Sequence, residues 1–322
     1  MDSSFIISSG GFDPYYNLSL EEYLLGQAPD KGCILYLWQN QHTVVIGKNQ
    51  NPWAECRLSL LQEEGGHLAR RLSGGGAVYH DLGNLNFTFL CKEKNYDLDK
   101  QLSVIKRAAE LAGVPAEFSG RNDLLAYGRK FSGNAFYRGK VNSYHHGTLL
   151  VDADMEKLQR YLSPPKAKLE SKGIASVRSR VVNLKELSPA LTCDKMKEFM
   201  EITFTEIYGN AAELTLSESE QQAVLQLRTR YASEQWLLGR ALPFTCRMEG
   251  RLPFGHLELQ LQVTGGVIED LQVYTDAMDA DLPQAITRAL KNCPFGSESM
   301  CQALAKLDNA ETLCDFIRQQ NI

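Results

Sequence analysis

Residues 69–84, ARRLSGGGAVYHDLGN, join two adjacent arginines to three consecutive glycines and a short apolar run. Glycines remove the Cβ atoms where a backbone must run close to a ligand, and arginines beside them present donors to an anion. A second stretch, GRNDLLAYGRKFSGNA at 120–135, sets Lys130 between a turn and a small-residue segment. Joining two anions, a carboxylate and a phosphate, calls for positive charge at the point of contact, and one ammonium can reach both. Together the stretches predict a site that holds a nucleotide phosphate and a carboxylate. They do not form a common mononucleotide loop. The glycines lead into Ala77-Val78-Tyr79 rather than Gly-Lys-Ser/Thr, and the G-x-G-x-x-G spacing of a dinucleotide fold is missing. His145 and His146 invite a metal reading, but adjacent residues of a strand face opposite ways, which leaves one of them, His146, to line the site.

These residues need elements to hold them. Asn17 to Leu25, with Ser19 and Glu22 at capping-box spacing, predicts a helix ending near Gly26. CILYLWQN and TVVIGKNQ read as strands about a Gln41-His42 turn, and a helix from about Pro52 to Glu64 stops at Gly65-Gly66. HLARR and NLNFTFL are strand-like runs on either side of the glycines. Residues 99–112 are amphipathic and helical, and 123–127, 130–132 and 147–151 alternate as strands. Residues 156–161, 194–208 and 218–230 read as helices. Strands joined mostly by short turns, with helices in separate runs, predict an α+β fold. A large catalytic domain with a mainly antiparallel sheet and flanking helices spans 1–245. After a break at Gly239 and Pro243, a hairpin about Gly265-Gly266 leads into helices and predicts a small C-terminal α+β accessory domain over 246–322.

The bulk composition removes several classes of function. The 322 residues are 43% hydrophobic and 23% charged, as in ordinary soluble globular proteins. A net charge of -5 gives no drive toward nucleic acid or an anionic membrane. The opening MDSSFIISSGGFDP lacks a basic segment followed by an apolar one, and no apolar run approaches the roughly 20 residues of a spanning helix. A cytoplasmic protein is the expectation. Eight cysteines without a C-x-x-C pair read as reduced, mostly buried thiols.

RRLSGGGAVYHDLGN, GRNDL, RKFSGNA, HHGTLL and KGIASVRSRVVNL, in that order, resemble the lipoate–protein ligases of the bacterial two-domain type, within the biotin and lipoate ligase superfamily. The resemblance implies two half-reactions. Lipoate and ATP give lipoyl-AMP and pyrophosphate, and a lysine of an acceptor domain then takes the lipoyl group. It implies Lys130 as the catalytic residue, with Arg71 and Lys130 touching both substrates. Ser73, Gly74, Gly75 and His146 are then expected at lipoate, and Gly76, Ala77, Val78 and Tyr79 beside adenine. Asn84, Asn122 and Asp123 are expected to orient phosphate, ribose or Mg²⁺; no single carboxylate is assigned to the metal, and Asp123 is a candidate. Arg70 is open to two uses, a ligand contact or a plain salt bridge. The segment 166–180 holds five basic residues against Glu170 and is expected to be a mobile loop that closes over the adenylate, with Lys172, Arg178 or Arg180 as contacts. The implied pocket is an apolar tunnel ending at Lys130, tolerant of octanoate because an alkyl slot discriminates poorly. The implied partners are lipoyl domains of 2-oxoacid dehydrogenase E2 subunits or the glycine-cleavage H protein, met by a monomer.

Two other readings stay open on the residues alone. A cysteine-dependent octanoyl or lipoyl transferase needs a thiolate near the site, and Cys91 is the nearest in sequence. A non-catalytic module that binds lipoyl-adenylate or lipoyl domains would keep the pocket and lose Lys130. The basic G-R-G-R form of biotin ligases is absent from the glycine run.

Overall fold

NLNFTFLCK alternates Asn84, Asn86 and Thr88 with Leu85, Phe87 and Phe89, and it forms a strand, β6 (Asn84–Lys92), buried along both faces. That burial follows from its place in an eight-stranded sheet of the computed structural model, which describes residues 4–119, 123–162, 181–239 and 242–320. The other strands are β1 (Ser4–Ser8), β2 (Ile34–Trp38), β7 (Glu117–Ser119), β8 (Asp123–Ala126), β9 (Arg129–Arg138), β10 (Asn142–Leu150) and β11 (Ala211–Glu213). Their order is β11-β1-β2-β6-β10-β9-β8-β7, parallel where β1 meets β11 and β2, and antiparallel elsewhere. A smaller sheet, β4 (His67–Arg70), β3 (Thr43–Ile46) and β5 (Val78–His80), carries the ends of the glycine-rich stretch.

Helices cover both faces of the large sheet. Leu35, Leu37, Phe87, Phe89 and Phe131 pack against α4 (Leu98–Leu111) and α7 (Cys193–Tyr208). The opposite face lies under α1 (Pro14–Gly26), which is backed by α8 (Glu218–Tyr231). Shorter helices complete this part: α2 (Pro52–Glu55), α3 (Leu58–Glu63), α5 (Met155–Tyr161), α6 (Leu184–Leu187) and α9 (Glu234–Leu238). A separate core of Leu257, Leu259, Leu261, Ile286, Met300 and Phe316 joins β12 (Cys246–Leu252), β13 (Gly255–Thr264) and β14 (Val267–Thr275) to α10 (Leu282–Leu290), α11 (Ser297–Leu304) and α12 (Ala310–Arg318). No described helix is long and apolar enough to cross a membrane.

The α+β architecture and its mainly antiparallel sheet are as expected, and several local expectations need correction. The first helix starts at Pro14, not beside Ser19. Asp13 caps it by accepting from the Tyr15 N–H, proline fills the first turn, and Ser19 Oγ instead donates back to the Tyr15 carbonyl at 2.6 Å. The helix expected over 52–64 divides in two, because Cys56 turns extended to pair with Leu162 and the Arg57 N–H donates to the Tyr161 carbonyl. The strands on either side of Gln41-His42 enter different sheets. β1, β5, β7, β11 and β12 were not foreseen.

Candidate active site

One line of register crosses five strands. Asp123 opposes Gly133, Gly133 opposes Thr148, Thr148 opposes Asn86, and Asn86 opposes Trp38. Directly opposed residues project to the same face, so these five form a row, and Ala135, His146 and Thr88 form the next row beside it. A cavity of about 200 Å³ opens on this face. Its floor includes Trp38, Asn86, Gly133, Thr148 and His146; α1 adds Leu18, and β3 adds Val45. The wall is Gly75, Gly76, Ala77, Val78 and His80, with Met278 from beyond β14 and Lys130 at the rim.

Lys130 reaches this face through an irregularity. Strict alternation would set residues 130 and 133 on opposite sides of the sheet. Leu125 opposes Lys130 but Leu124 opposes Ser132, so Phe131 is an extra residue, a β-bulge. Phe131 drops into the core, and Lys130 turns toward Gly133. A Cβ at Gly133 would stand 3.0 Å from Lys130 Nζ, so the missing side chain makes room for the lysine. Nζ lies 2.6 Å from Asp123 Oδ1, with both side chains 34% exposed. At that exposure the pair aims the ammonium more than it stabilises the fold.

The glycine-rich stretch owes its shape to Arg71 before it. Gly75 has φ +90, a conformation L side chains rarely adopt, and a Cβ on Gly74 would stand 2.3 Å from the Ala277 carbonyl. Gly75 N–H donates to that same carbonyl at 3.0 Å, which docks the C-terminal unit on the loop. Arg71 Nη2 donates to the carbonyls of Gly74 (2.7 Å) and Gly76 (2.8 Å), Nε to Ser73 Oγ (3.0 Å), and Nη1 to Val45 (3.2 Å). Arg70 takes neither expected use: it binds the backbone carbonyls of Gly47, Lys48, Gln50, Trp236 and Leu237. Burial lowers both guanidinium groups to about 10, which leaves them charged at neutral pH.

The structure brings Arg71, Gly75, Gly76, Ala77, Val78, Lys130 and His146 to one cavity, with Asp123 on Lys130 and Ser73 2.8 Å from His146 Nε2. Gly74 lies behind the loop, against Ala277 and Met278. The Tyr79 ring faces away: alternation along β5 turns it into a cluster with His42 and Tyr161, so a stacking role for that ring does not fit. Asn84 is buried and donates to Asn86 Oδ1 at 3.0 Å without lining the cavity. Asn122, Lys172, Arg178 and Arg180 lie outside the described residues. No described group of three His, Cys, Asp or Glu could hold a metal. No described cysteine lines the cavity, and Cys91 belongs to the core on the other face of the sheet.

His80 and Asn86 escaped the sequence reading. Asn40 Nδ2 donates to His80 Nδ1 at 3.2 Å, so the proton of the neutral ring is assigned to Nε2, and burial holds the group down to about 3. His80 Nε2 and Asn86 Nδ2 are buried and without a partner among the described residues, and both side chains line the cavity. The pair offers N–H donors to an acceptor. The detectable signal was the alternation of Asn84, Asn86 and Thr88 within an otherwise apolar strand.

A model of the lipoyl protein ligase A/B catalytic domain matches residues 13–205, and one of the bacterial lipoate protein ligase C-terminus matches 241–320. The lipoate-protein ligase A of Bdellovibrio bacteriovorus is 38% identical over 315 residues, covering 95% of this chain and 93% of that protein. Among solved structures, LipL1 of P. falciparum in complex with lipoate aligns with a TM-score of 0.84 at 28% identity over 99% of each chain. A bi-partite lipoate protein ligase from Thermoplasma acidophilum, from a study that includes its E2 lipoyl domain, aligns at 0.67 and 26%, over 76% of this chain and 100% of that one. A lipoate-protein ligase A bound with ATP aligns at 0.63 and 26%, over 74% and 99%.

Proposed function

Because the chain belongs to the lipoyl protein ligase A/B family, we propose that it is an ATP-dependent lipoate–protein ligase. The observation that carries this reading is Lys130, turned by its bulge onto an apolar cavity and aimed by Asp123. In the first half-reaction a lipoate carboxylate oxygen attacks the α-phosphorus of ATP and pyrophosphate leaves. Lys130 Nζ neutralises the approaching oxygens, where charge develops. In the second, the acceptor amine attacks the lipoyl carbonyl and AMP leaves.

The acyl chain is assigned to the surface of Leu18, Trp38, Val45 and Val78, a lining that also suits octanoate. The adenylate is assigned to the side of Gly76, Ala77 and Val78, with backbone rather than the Tyr79 ring as its contact. Mg²⁺ would arrive with ATP, held mainly by phosphate oxygens, and Asp123 is the protein oxygen suited to join them. We assign catalysis to residues 1–245 and accessory work to 246–322. The acceptor is a lipoyl domain, of the E2 or H-protein kind, which a cytoplasmic monomer would meet directly. The cysteine-dependent alternative finds no support, since Cys91 lies across the sheet from the cavity.

Lipoate-dependent exchange of labelled pyrophosphate into ATP tests the proposal. The wild-type protein should exchange, and Lys130→Ala should lower kcat by about 10²–10³. A folded wild type without exchange would overturn the ligase reading.

A further inference from the structure

Glu21 on α1 does not line the cavity, yet three lining side chains are tied to it. It is 1% exposed. Thr88 Oγ1 donates to Glu21 Oε1 at 2.7 Å, and Trp38 Nε1 donates to Thr88 Oγ1 at 3.1 Å. His146 Nδ1 lies 2.8 Å from the same Oε1, and its Nε2 lies 2.8 Å from Ser73 Oγ. Arg71 Nε donates to that oxygen at 3.0 Å. A carboxylate only accepts, so Nδ1 carries the His146 proton. With no proton on Nε2, that nitrogen accepts from the Ser73 hydroxyl, and the serine oxygen accepts from Arg71. In that arrangement one chain of hydrogen bonds runs from the Glu21 carboxylate through His146 and Ser73 to the Arg71 guanidinium.

We propose that Glu21 is a positioning residue for adenylation. Its Oε1 holds His146 directly and Trp38 through Thr88, and through His146 and Ser73 it sets the guanidinium that binds the Gly74 and Gly76 carbonyls. The inference rests on the ligase reading for what is positioned. With the proton on Nε2 instead, His146 would donate to Ser73 Oγ and turn the serine proton toward the Gly74 carbonyl at 3.5 Å. There it would compete with Arg71 for the same oxygen.

Both donors approach one oxygen of Glu21, so Glu21→Gln can keep an acceptor there while Glu21→Ala removes it. The test combines ¹⁵N-histidine spectra, with His146 signals assigned by their absence in His146→Gln, and pyrophosphate exchange. Wild type should show Nδ1 protonated. Glu21→Ala should move the proton toward Nε2 and lower kcat/KM about 10- to 100-fold. Glu21→Gln should recover the Nδ1–H form and most of the rate. Three results would overturn the proposal: Nε2–H in the wild type, an unchanged tautomer and rate in folded Glu21→Ala, or a glutamine variant as impaired as alanine. The wild-type spectrum remains decisive if the alanine variant does not fold. Missing exchange in wild type would count against the ligase reading alone, since the tautomer is read without turnover.

Discussion

The two faces of the large sheet are built by the same strands and are both buried, yet beside the cavity they differ: one is an apolar core, and the other sets polar side chains next to the apolar cluster under α1. Along β6, Leu85, Phe87 and Phe89 enter the helix-covered core, while Asn84, Asn86 and Thr88 point to the cavity side. On β10 the division falls between neighbours. His145 stands among Phe87, Phe89 and Phe136, whereas His146 joins Glu21 and Ser73 beside the cavity. The apolar face supplies stability through transfer from water and close packing. The polar face bears the cost of buried donors and acceptors because they bond one another or face the space for a ligand. Alternation of period two therefore separates folding from chemistry by one residue.

The largest effect should come from breaking the apolar side. Phe87→Ala should cost about 3–5 kcal/mol in urea unfolding, with kinetic constants per folded molecule unchanged. A fall in exchange beyond the loss of folded protein would show that the faces are not separable.

Acid should weaken both sides alike. Burial holds His80, at the cavity, and His145, across the sheet, down to about 3. The unfolded chain, titrating near 6.5, binds these protons first. The stability contribution is therefore full above that pH and is lost as pH falls from about 6.5 toward 3. Each histidine should subtract about 2 kcal/mol between pH 7.5 and 5. His145→Met should remove about one such share from the pH dependence; equal pH dependence in variant and wild type would reject it.

Gly133→Ala sharpens the comparison from the polar side. A methyl 3.0 Å from Lys130 Nζ displaces a flexible side chain rather than the backbone. Exchange should fall about tenfold while unfolding moves by less than about 1 kcal/mol. Equal exchange would mean that Lys130 does not need its present course. The smallest effect belongs to Tyr79→Phe, since that hydroxyl is buried without a partner among the described residues and faces away from the cavity. Stability should change by under about 0.5 kcal/mol, and the KM for ATP should stay level. A raised KM would restore the ring to the nucleotide.

Local signals in the chain were enough for α4, α7, α8 and the β13–β14 hairpin, where periodicity runs long and glycines mark the turn. Three-residue strands such as β5, β7 and β11 are too short to show a period, and pairing at a distance creates them. β12 was readable: Cys246, Met248, Gly250 and Leu252 alternate with arginine and glutamate. In the site, glycines, arginines and Lys130 announced themselves by type and neighbourhood. Glu21, Trp38, His80 and Met278 did not, because each looks ordinary in its own segment. Only the register and the docking of distant parts bring them together.

The single extra residue at Phe131 gives β9 an arithmetic of odd and even. Removing it would restore regular pairing from Arg129 to Gly133 and leave the composition of the strand almost intact. Lys130 would then stand two residues from Gly133 and keep the cavity face by plain alternation, still opposite Leu125. What the molecule would lose is the buried ring of Phe131, not the address of the ammonium. The insertion thus adds one ring to the core without changing the parity of the residues before it.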